Sequence, residues 1–266
     1  MHMPDGLINA PVSIGAGVLV AGAVAVSLKK TKGSLDSQTA PMAGLVAVFI
    51  FAAQMINFPV AAGTSGHLMG GALAAILVGP WVAVLVMTVV VGIQALVFAD
   101  GGLSALGINI LNMGIVTVIV GTLVFALTMK VLSKTKSSIV AASAIAAFIS
   151  VPAAALAFVI EYYLGGNATY DPMTVLISVV GVHLLIGIGE AIITALTVGA
   201  ILATRADLVA GARKYLPAQK LIIKDQRILL QNTQLADKLN NKLNLNGFIN
   251  IEALPDYSYT IDINSK

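Results

Sequence analysis

The chain contains no cysteine, which excludes disulfides, thiolate metal sites and cysteine nucleophiles. Charge is also scarce, since 10% of the 266 residues are Asp, Glu, Lys or Arg while 58% are hydrophobic. The sequence has no Gly-x-x-x-x-Gly-Lys-Ser/Thr loop, so it does not hydrolyse ATP by the P-loop route. Its basic residues are scattered, which argues against nucleic-acid binding. We therefore predict that the chain is not an enzyme and has no ATPase motif of its own.

Apolar residues dominate what is present, with a mean hydropathy of +0.94. Several runs approach or exceed the roughly 20 residues that a membrane-spanning helix needs. We predict an all-α, polytopic membrane helix bundle of about seven transmembrane helices in the lipid bilayer of a cell membrane. The predicted spans are residues 7–28, 42–58, 67–79, 80–98, 105–129, 138–162 and 173–203. No removable signal peptide is expected, because lysines follow the first apolar run and none precedes it.

The third predicted span is too short to cross a bilayer unaided, at ~1.5 Å per residue against a ~30 Å core. An alternative joins 67–98 into one helix kinked at Pro80. Positive charge favours seven spans, because cytoplasmic loops carry an excess of Lys and Arg. Seven spans with the N-terminus outside place every basic cluster and the C-terminus in the cytoplasm: Lys29, Lys30, Lys32, Lys130, Lys134, Lys136 and Arg205.

Met1 and His2 offer a metal ion three nitrogens: the α-amine, the His2 amide and the His2 imidazole. Amine and amide close a five-membered chelate ring, and amide and Nδ1 close a six-membered ring. Such planar nitrogen geometry favours Ni(II) or Cu(II). On the predicted topology His67 lies on the same side of the membrane. It follows a Gly- and Pro-rich segment, residues 57–66, which we expect to line a cavity open to the outside.

His183 and Glu190 lie two helical turns apart on one face of the last span. Ionisable residues at membrane depth are candidates for function. They could hydrogen-bond inside the bundle, orient His67 or gate metal release together with Thr64 and Ser65, or serve an intramembrane enzyme with Asp100. No zinc helix, nucleophile elbow or paired in-membrane aspartates support the last alternative.

Two further segments suggest contacts with partners. Gly17, Ala21 and Ala25 recur every four residues and form a smooth stripe, suited either to docking a partner helix or to packing within the bundle. We divide the chain into a transmembrane metal-binding domain, residues 1–204, and a cytoplasmic tail, residues 205–266. Apolar residues at roughly helical spacing between 221 and 239 predict an amphipathic helix in the tail.

The opening Met-His-Met-Pro-Asp-Gly resembles that of the substrate-binding (S) components of nickel and cobalt energy-coupling-factor transporters, the CbiM/NikM family. Two internal stretches and the block from His183 to Ala191 are similar too: NFPVAAGTSGHLMGGALAAILVGPWVAVLVM, from Asn57, and ADGGLSALGINILNMG, from Ala99. The resemblance covers most of residues 1–203. Met3 departs from the expected isoleucine, and the 61–62 Ala-Ala pair from a turn richer in Gly and Pro.

The resemblance implies that the metal is held by the Met1 amine, the His2 amide and imidazole, and His67. It also implies three kinds of partner: a transmembrane coupling (T) component, ATPase (A) subunits and a small accessory membrane subunit. We therefore expect the capture subunit of an ATP-driven importer, with Ni(II) or Co(II) as transported substrate and no bound organic cofactor. The alternatives are a metal channel or secondary transporter acting without ATPases and, less favoured, the intramembrane enzyme.

Overall fold

A computed structural model describes residues 1–32, 39–56, 58–59 and 65–216, together with three strands near the C-terminus. The helices of the first part are α1 (Ala10–Thr31), α2 (Thr39–Gln54), α3 (Gly71–Val78), α4 (Pro80–Phe98), α5 (Leu106–Ile110), α6 (Thr117–Val131), α7 (Lys136–Gly165), α8 (Pro172–Thr204) and α9 (Ala210–Arg213). A π-helical segment, Leu111–Val116, joins α5 to α6, and a 3₁₀ turn, Ala206–Leu208, precedes α9. Strands β1 (Phe58–Pro59) and β2 (Ser65–Gly66) pair antiparallel.

The described residues include five helical stretches long and apolar enough to cross a membrane: α1, α4, the continuous α5–α6 stretch, α7 and α8. Helix α2 is apolar but has 16 residues. Large apolar side chains such as Leu19, Val48 and Leu96 are exposed on the outside of the bundle, where lipid rather than water accommodates them. The chain is a multi-pass, all-α membrane bundle, as predicted. The sidedness of its termini remains a prediction.

The predicted third span differs most from the structure. Residues 67–70 are not helical, and α3 has only eight residues, or ~12 Å at 1.5 Å per residue. Every residue of α3 is buried, so protein surrounds this short element. Gly79, with φ +85°, ends α3 and leads into Pro80 at the start of α4. The fused 67–98 helix is thereby excluded.

Helix α3 lies at the centre of the bundle, in contact with α2, α4, α6 and α7. Small residues permit this close packing against α6. A Cβ on Gly71 would lie 1.8 Å from Oγ1 of Thr117, and one on Gly121 would lie 2.6 Å from Cβ of Ala72. The predicted fifth span is correct in extent, but the sequence did not indicate its π-helical segment, a feature frequent at functional sites.

The stripe on α1 splits into two environments. Gly17 packs against α5, since a Cβ on Gly107 would lie 2.7 Å from Cα of Gly17. Gly17 therefore faces another helix of the same bundle. Ala21 and Ala25 are exposed, and docking of a partner helix there stays a proposal.

The first compact unit runs from Met1 to Leu216 and the second from Pro217 to Lys266. The compact unit therefore extends past residue 204, where the sequence predicts the boundary, and Val209 and Ala212 in the added part are fully buried. In the second unit β3 (Ile222–Lys224), β4 (Arg227–Ala236) and β5 (Lys242–Asn250) form an antiparallel sheet. These strands lie where the sequence predicts an amphipathic helix; short apolar runs are ambiguous in period, and Asn and Thr are poor helix formers.

Candidate metal centre

The N-terminal segment is inserted between the helices in extended form. Met1, His2 and Met3 are 1%, 3% and 0% exposed, so the terminus is part of the protein interior. Asn109 of α5 binds both backbone polar groups of Met3: its Oδ1 accepts from Met3 N–H at 2.8 Å, and its Nδ2 donates to Met3 O at 3.2 Å. This clamp fixes the backbone immediately after His2.

The turn that follows α4 contacts the N-terminal segment from another side. Gly102 N–H donates to Met3 O at 2.8 Å, and a Cβ on Gly102 would lie 2.3 Å from the amide nitrogen of Asp5. The Asp5 carboxylate accepts from the amide and hydroxyl of Ser104 at 2.7 and 2.6 Å, and these bonds lower the pKa of Asp5. The glycines after Asp100 are therefore required by the close approach of the N-terminal segment.

The segment that carries His67 is fixed from α8. The Glu190 carboxylate accepts from the backbone N–H groups of Met69 and Gly70 at 2.6 and 2.7 Å. Gly70 has φ +81°, a conformation that favours glycine, and caps the start of α3. Glu190, although on a different helix, thus holds the turn between His67 and α3. Both carboxylate oxygens of Glu190 accept hydrogen bonds, which agrees with a role in holding this turn in place.

Three nitrogens converge between these segments: the Met1 amine, Nδ1 of His2 and Nε2 of His67. Nε2 of His67 accepts a hydrogen bond from the Met1 amine and lies 3.1 Å from Nδ1 of His2. In a planar four-nitrogen site, His67 would neighbour the same two atoms. With metal–nitrogen bonds of ~2.0 Å, adjacent donors are about 2.8 Å apart. The arrangement is therefore close to a metal-binding geometry. Nδ1 of His2 also lies 3.2 Å from Oδ1 of Asp100.

Hydrogen bonds to the other ring nitrogens set both tautomers. His67 Nδ1 donates to the carbonyl of Leu68 at 2.7 Å, because a carbonyl only accepts, and Nε2 is left with its lone pair.

His2 is oriented by a longer chain. Its Nε2 donates to Gln94 Oε1 at 3.1 Å, Gln94 Nε2 donates to Gln54 Oε1 at 2.9 Å, and Gln54 Nε2 donates to Met69 O at 2.6 Å. The chain ends on a carbonyl, which fixes its direction. His2 Nδ1 is therefore the bare nitrogen, as the six-membered chelate ring requires.

Burial disfavours the charged form of these donors. It lowers the pKa of the Met1 amine well below its usual value, against an opposing effect of Asp100. Burial, followed by the charge of that amine, lowers the pKa of His2 to about 3, although the hydrogen bond with Gln94 raises it. The pKa of His67 is lowered by burial, then by the Met1 amine, His2 and, last, His183. Neutral nitrogens are the form that binds metal.

The remaining predicted residues have different outcomes. His183 is fully buried on α8. Thr64 lies outside the described residues, and of Ser65 the structure describes the backbone, in β2. Among the described residues, no group of three or more His, Cys, Asp and Glu side chains could hold a metal ion. The candidate centre depends instead on the terminal amine and a backbone amide together with two imidazoles.

Sequence reasoning missed three residues that orient the donors, Gln54, Gln94 and Asn109, and also Ser104, which binds Asp5. A signal for two of them was present, because Gln54 and Gln94 are isolated amides within strongly apolar spans, and polar groups there need partners. Nothing in the sequence indicates that the two glutamines bond to each other.

Comparison with known proteins agrees with this architecture. The family described as "Cobalt uptake substrate-specific transmembrane region" matches residues 2–208. The chain belongs to this family. A putative fused nickel transport protein NikMN of Archaeoglobus fulgidus is 40% identical over 210 residues, which are 79% of this chain and 68% of that protein. A cobalt transport protein CbiM of Sorangium cellulosum is 42% identical over 106 residues, 40% of this chain and 47% of that protein.

The fold of this CbiM-family chain also resembles solved structures. A crystal structure of a truncated transition metal transporter superposes with a TM-score of 0.71 at 32% identity, covering 76% of this chain and 99% of the other. A second transition metal transporter structure matches with the same TM-score at 31% identity. The sequence-based assignment to the CbiM/NikM family is thus confirmed.

Proposed function

We propose that this chain captures Ni(II) or Co(II) as the substrate-binding subunit of an importer. The observation that carries the proposal is the convergence of the Met1 amine, His2 Nδ1 and His67 Nε2. Two of these atoms are bare ring nitrogens whose tautomers are set by hydrogen bonds. The His2 amide lies between the first two donors along the chain and completes a square of four nitrogens.

The donor set favours nickel. Binding through an amide nitrogen requires loss of its proton, which Ni(II) promotes far better than Co(II), and four planar nitrogens suit Ni(II) or Cu(II). Cu(II) would bind more tightly still by the Irving–Williams order. Selectivity against copper therefore depends on its availability. The names of the relatives, which include nickel and cobalt transport proteins, support the same substrate class.

Uphill uptake needs an energy source outside this sequence, which contains no P-loop motif. We propose that ATPase (A) subunits drive it through a transmembrane coupling (T) component, with a small accessory membrane subunit, as in energy-coupling-factor importers. Exposed Ala21 and Ala25 on α1 are candidates for the docking surface. A channel or secondary transporter without ATPases is the alternative. It would conduct metal without trapping it.

The test is nickel and cobalt binding by the purified full-length chain, compared with His67→Ala and with a variant that has one alanine added before Met1. The added alanine keeps every side chain and moves the amine out of the chelate. Both changes should abolish stoichiometric binding and the absorption band of planar Ni(II). Equal binding by the extended variant would show that the terminus is not a ligand. Weak binding by the unaltered chain would favour the channel.

A further inference from the structure

His183 has a buried nitrogen with no function in the centre described above. The residue is fully buried, and its Nδ1 donates to the carbonyl of Val179 at 2.6 Å. Nε2 therefore carries a lone pair, and within the described part of the chain it has no hydrogen-bond partner. A buried acceptor without a donor is unfavourable, so an explanation is required for why one is placed here.

His183 shares a buried face of α8 with Glu190, which holds the segment that carries His67. Seven residues further along the same buried face, Glu190 bonds the Met69 and Gly70 amides. Helix α8 also contacts β2, which directly precedes His67. His183 is close enough to His67 to contribute to the lowering of that residue's pKa. The unpartnered nitrogen thus lies within electrostatic reach of the candidate ligands.

A donor for this nitrogen is created when metal binds, if the proposed function is correct. In the metal-free structure the Met1 amine donates to Nε2 of His67. Once His67 Nε2 binds metal, its lone pair no longer accepts that bond. The coordinated amine keeps two N–H groups, and Met1 is only 1% exposed, so both need acceptors inside the protein. Asp100, whose charge acts on the amine and whose Oδ1 lies 3.2 Å from Nδ1 of His2, is a candidate for one of them.

We propose that His183 is the second acceptor: its Nε2 receives an N–H of the metal-bound Met1 amine and holds the amine lone pair on the metal. His183 is then a positioning residue, which acts through Met1 and does not bind metal. Its bond to Val179 fixes the tautomer that this role needs. Without the acceptor, water replaces the amine at the metal, which weakens the ligand field and the binding together.

The experiment titrates the purified full-length chain with NiCl₂ and compares His183→Leu, His183→Gln and Thr194→Val with the unaltered protein. Leu removes the acceptor, whereas Gln offers a carbonyl oxygen near the position of Nε2. Thr194 is the matched control, because it is fully buried on the same face of α8 and its Oγ1 also has no hydrogen-bond partner among the described residues. Thermal unfolding of the metal-free proteins checks that each variant is folded.

We expect His183→Leu to lower nickel affinity about tenfold, as for loss of one hydrogen bond to a metal-bound group, and to move the Ni(II) band to longer wavelength. His183→Gln should restore the band, and Thr194→Val should match the unaltered protein. The inference is overturned if His183→Leu leaves affinity and band unchanged while the unaltered chain binds. It is also overturned if affinity falls without a band shift or rescue by Gln. Failure of the unaltered chain to bind nickel would reject the proposed function and this inference with it.

Discussion

At the scale of single residues, the centre depends on positions where a side chain would occupy space that the N-terminal segment needs. Gly102 is the sharpest case, since its missing Cβ would lie 2.3 Å from a backbone nitrogen that cannot yield as a flexible side chain would. Gly101 has φ +93°, and a Cβ at this position would lie 3.1 Å from Cδ2 of His2. These two glycines let the terminus lie against the turn that follows α4.

Gly102→Ala should therefore weaken nickel binding about tenfold or more. Overpacking of this kind costs roughly 1–3 kcal/mol, and each 1.4 kcal/mol is about a factor of ten in affinity. Gly92→Ala is the matched control, because nothing lies within 4 Å of a Cβ at that position on α4. Isothermal titration with nickel measures both variants. Normal affinity in Gly102→Ala would mean that the bound terminus does not pass along this turn.

At the scale of elements, α3 depends on a residue far away in sequence. Its first turn is preceded by two backbone N–H groups that have no acceptor within the helix, and Glu190 of α8 satisfies both. The carbonyl of the same Met69 ends the amide chain that orients His2. One turn thus connects α8, α3 and both histidines of the centre.

Glu190→Gln should destabilise the protein and loosen this turn. The carboxamide has a single acceptor oxygen, so one buried N–H, of Met69 or Gly70, loses its partner at a cost of about 1–3 kcal/mol. We expect a lower unfolding temperature and a nickel affinity reduced about tenfold. Thr194→Val, one turn further on α8, controls for a polar change on the same face. An unaltered affinity would separate the turn from the metal centre.

At the scale of the whole molecule, the bundle extends past the last long helix. Residues 205–216 pack against the ends of α3 and α6: Tyr215 meets Phe125 edge-on with ring centroids 6.0 Å apart, and a Cβ on Gly211 would lie 3.3 Å from the carbonyl oxygen of Ile76. This segment covers the end of α3 opposite His67.

A chain shortened after Leu216 should therefore keep its nickel affinity and unfolding temperature, whereas one shortened after Thr204 should unfold at a temperature about 5 °C or more lower. The second truncation exposes Phe125 and removes buried Val209, and one or two buried apolar side chains contribute about 1.5–3 kcal/mol each. Thermal unfolding in one detergent compares them. Equal stability of the two truncations would place the boundary of the unit at 204.

The elements that the sequence predicts correctly are those whose formation depends on local interactions. Spans such as α4 and α8 were predicted within a few residues, because a long apolar run is itself the requirement for crossing a bilayer. The short α3, the π-helical segment and the sheet in the C-terminal unit were not. Each depends on neighbours: α3 on the α8 carboxylate, and the strands on pairing between segments whose period is ambiguous.

The sequence by itself determined that this is a polytopic membrane bundle, that Met1 and His2 place three nitrogens close together along the chain, and that the family motif around His67 is present. These follow from composition, adjacency along the chain and matching residues. Only the tertiary structure decided which ring nitrogens are bare and which residues hold the candidate ligands in place. Gln54, Gln94, Asn109 and Glu190 reach the centre from four different helices. Hydrogen bonds between such distant segments exist only once the bundle has packed.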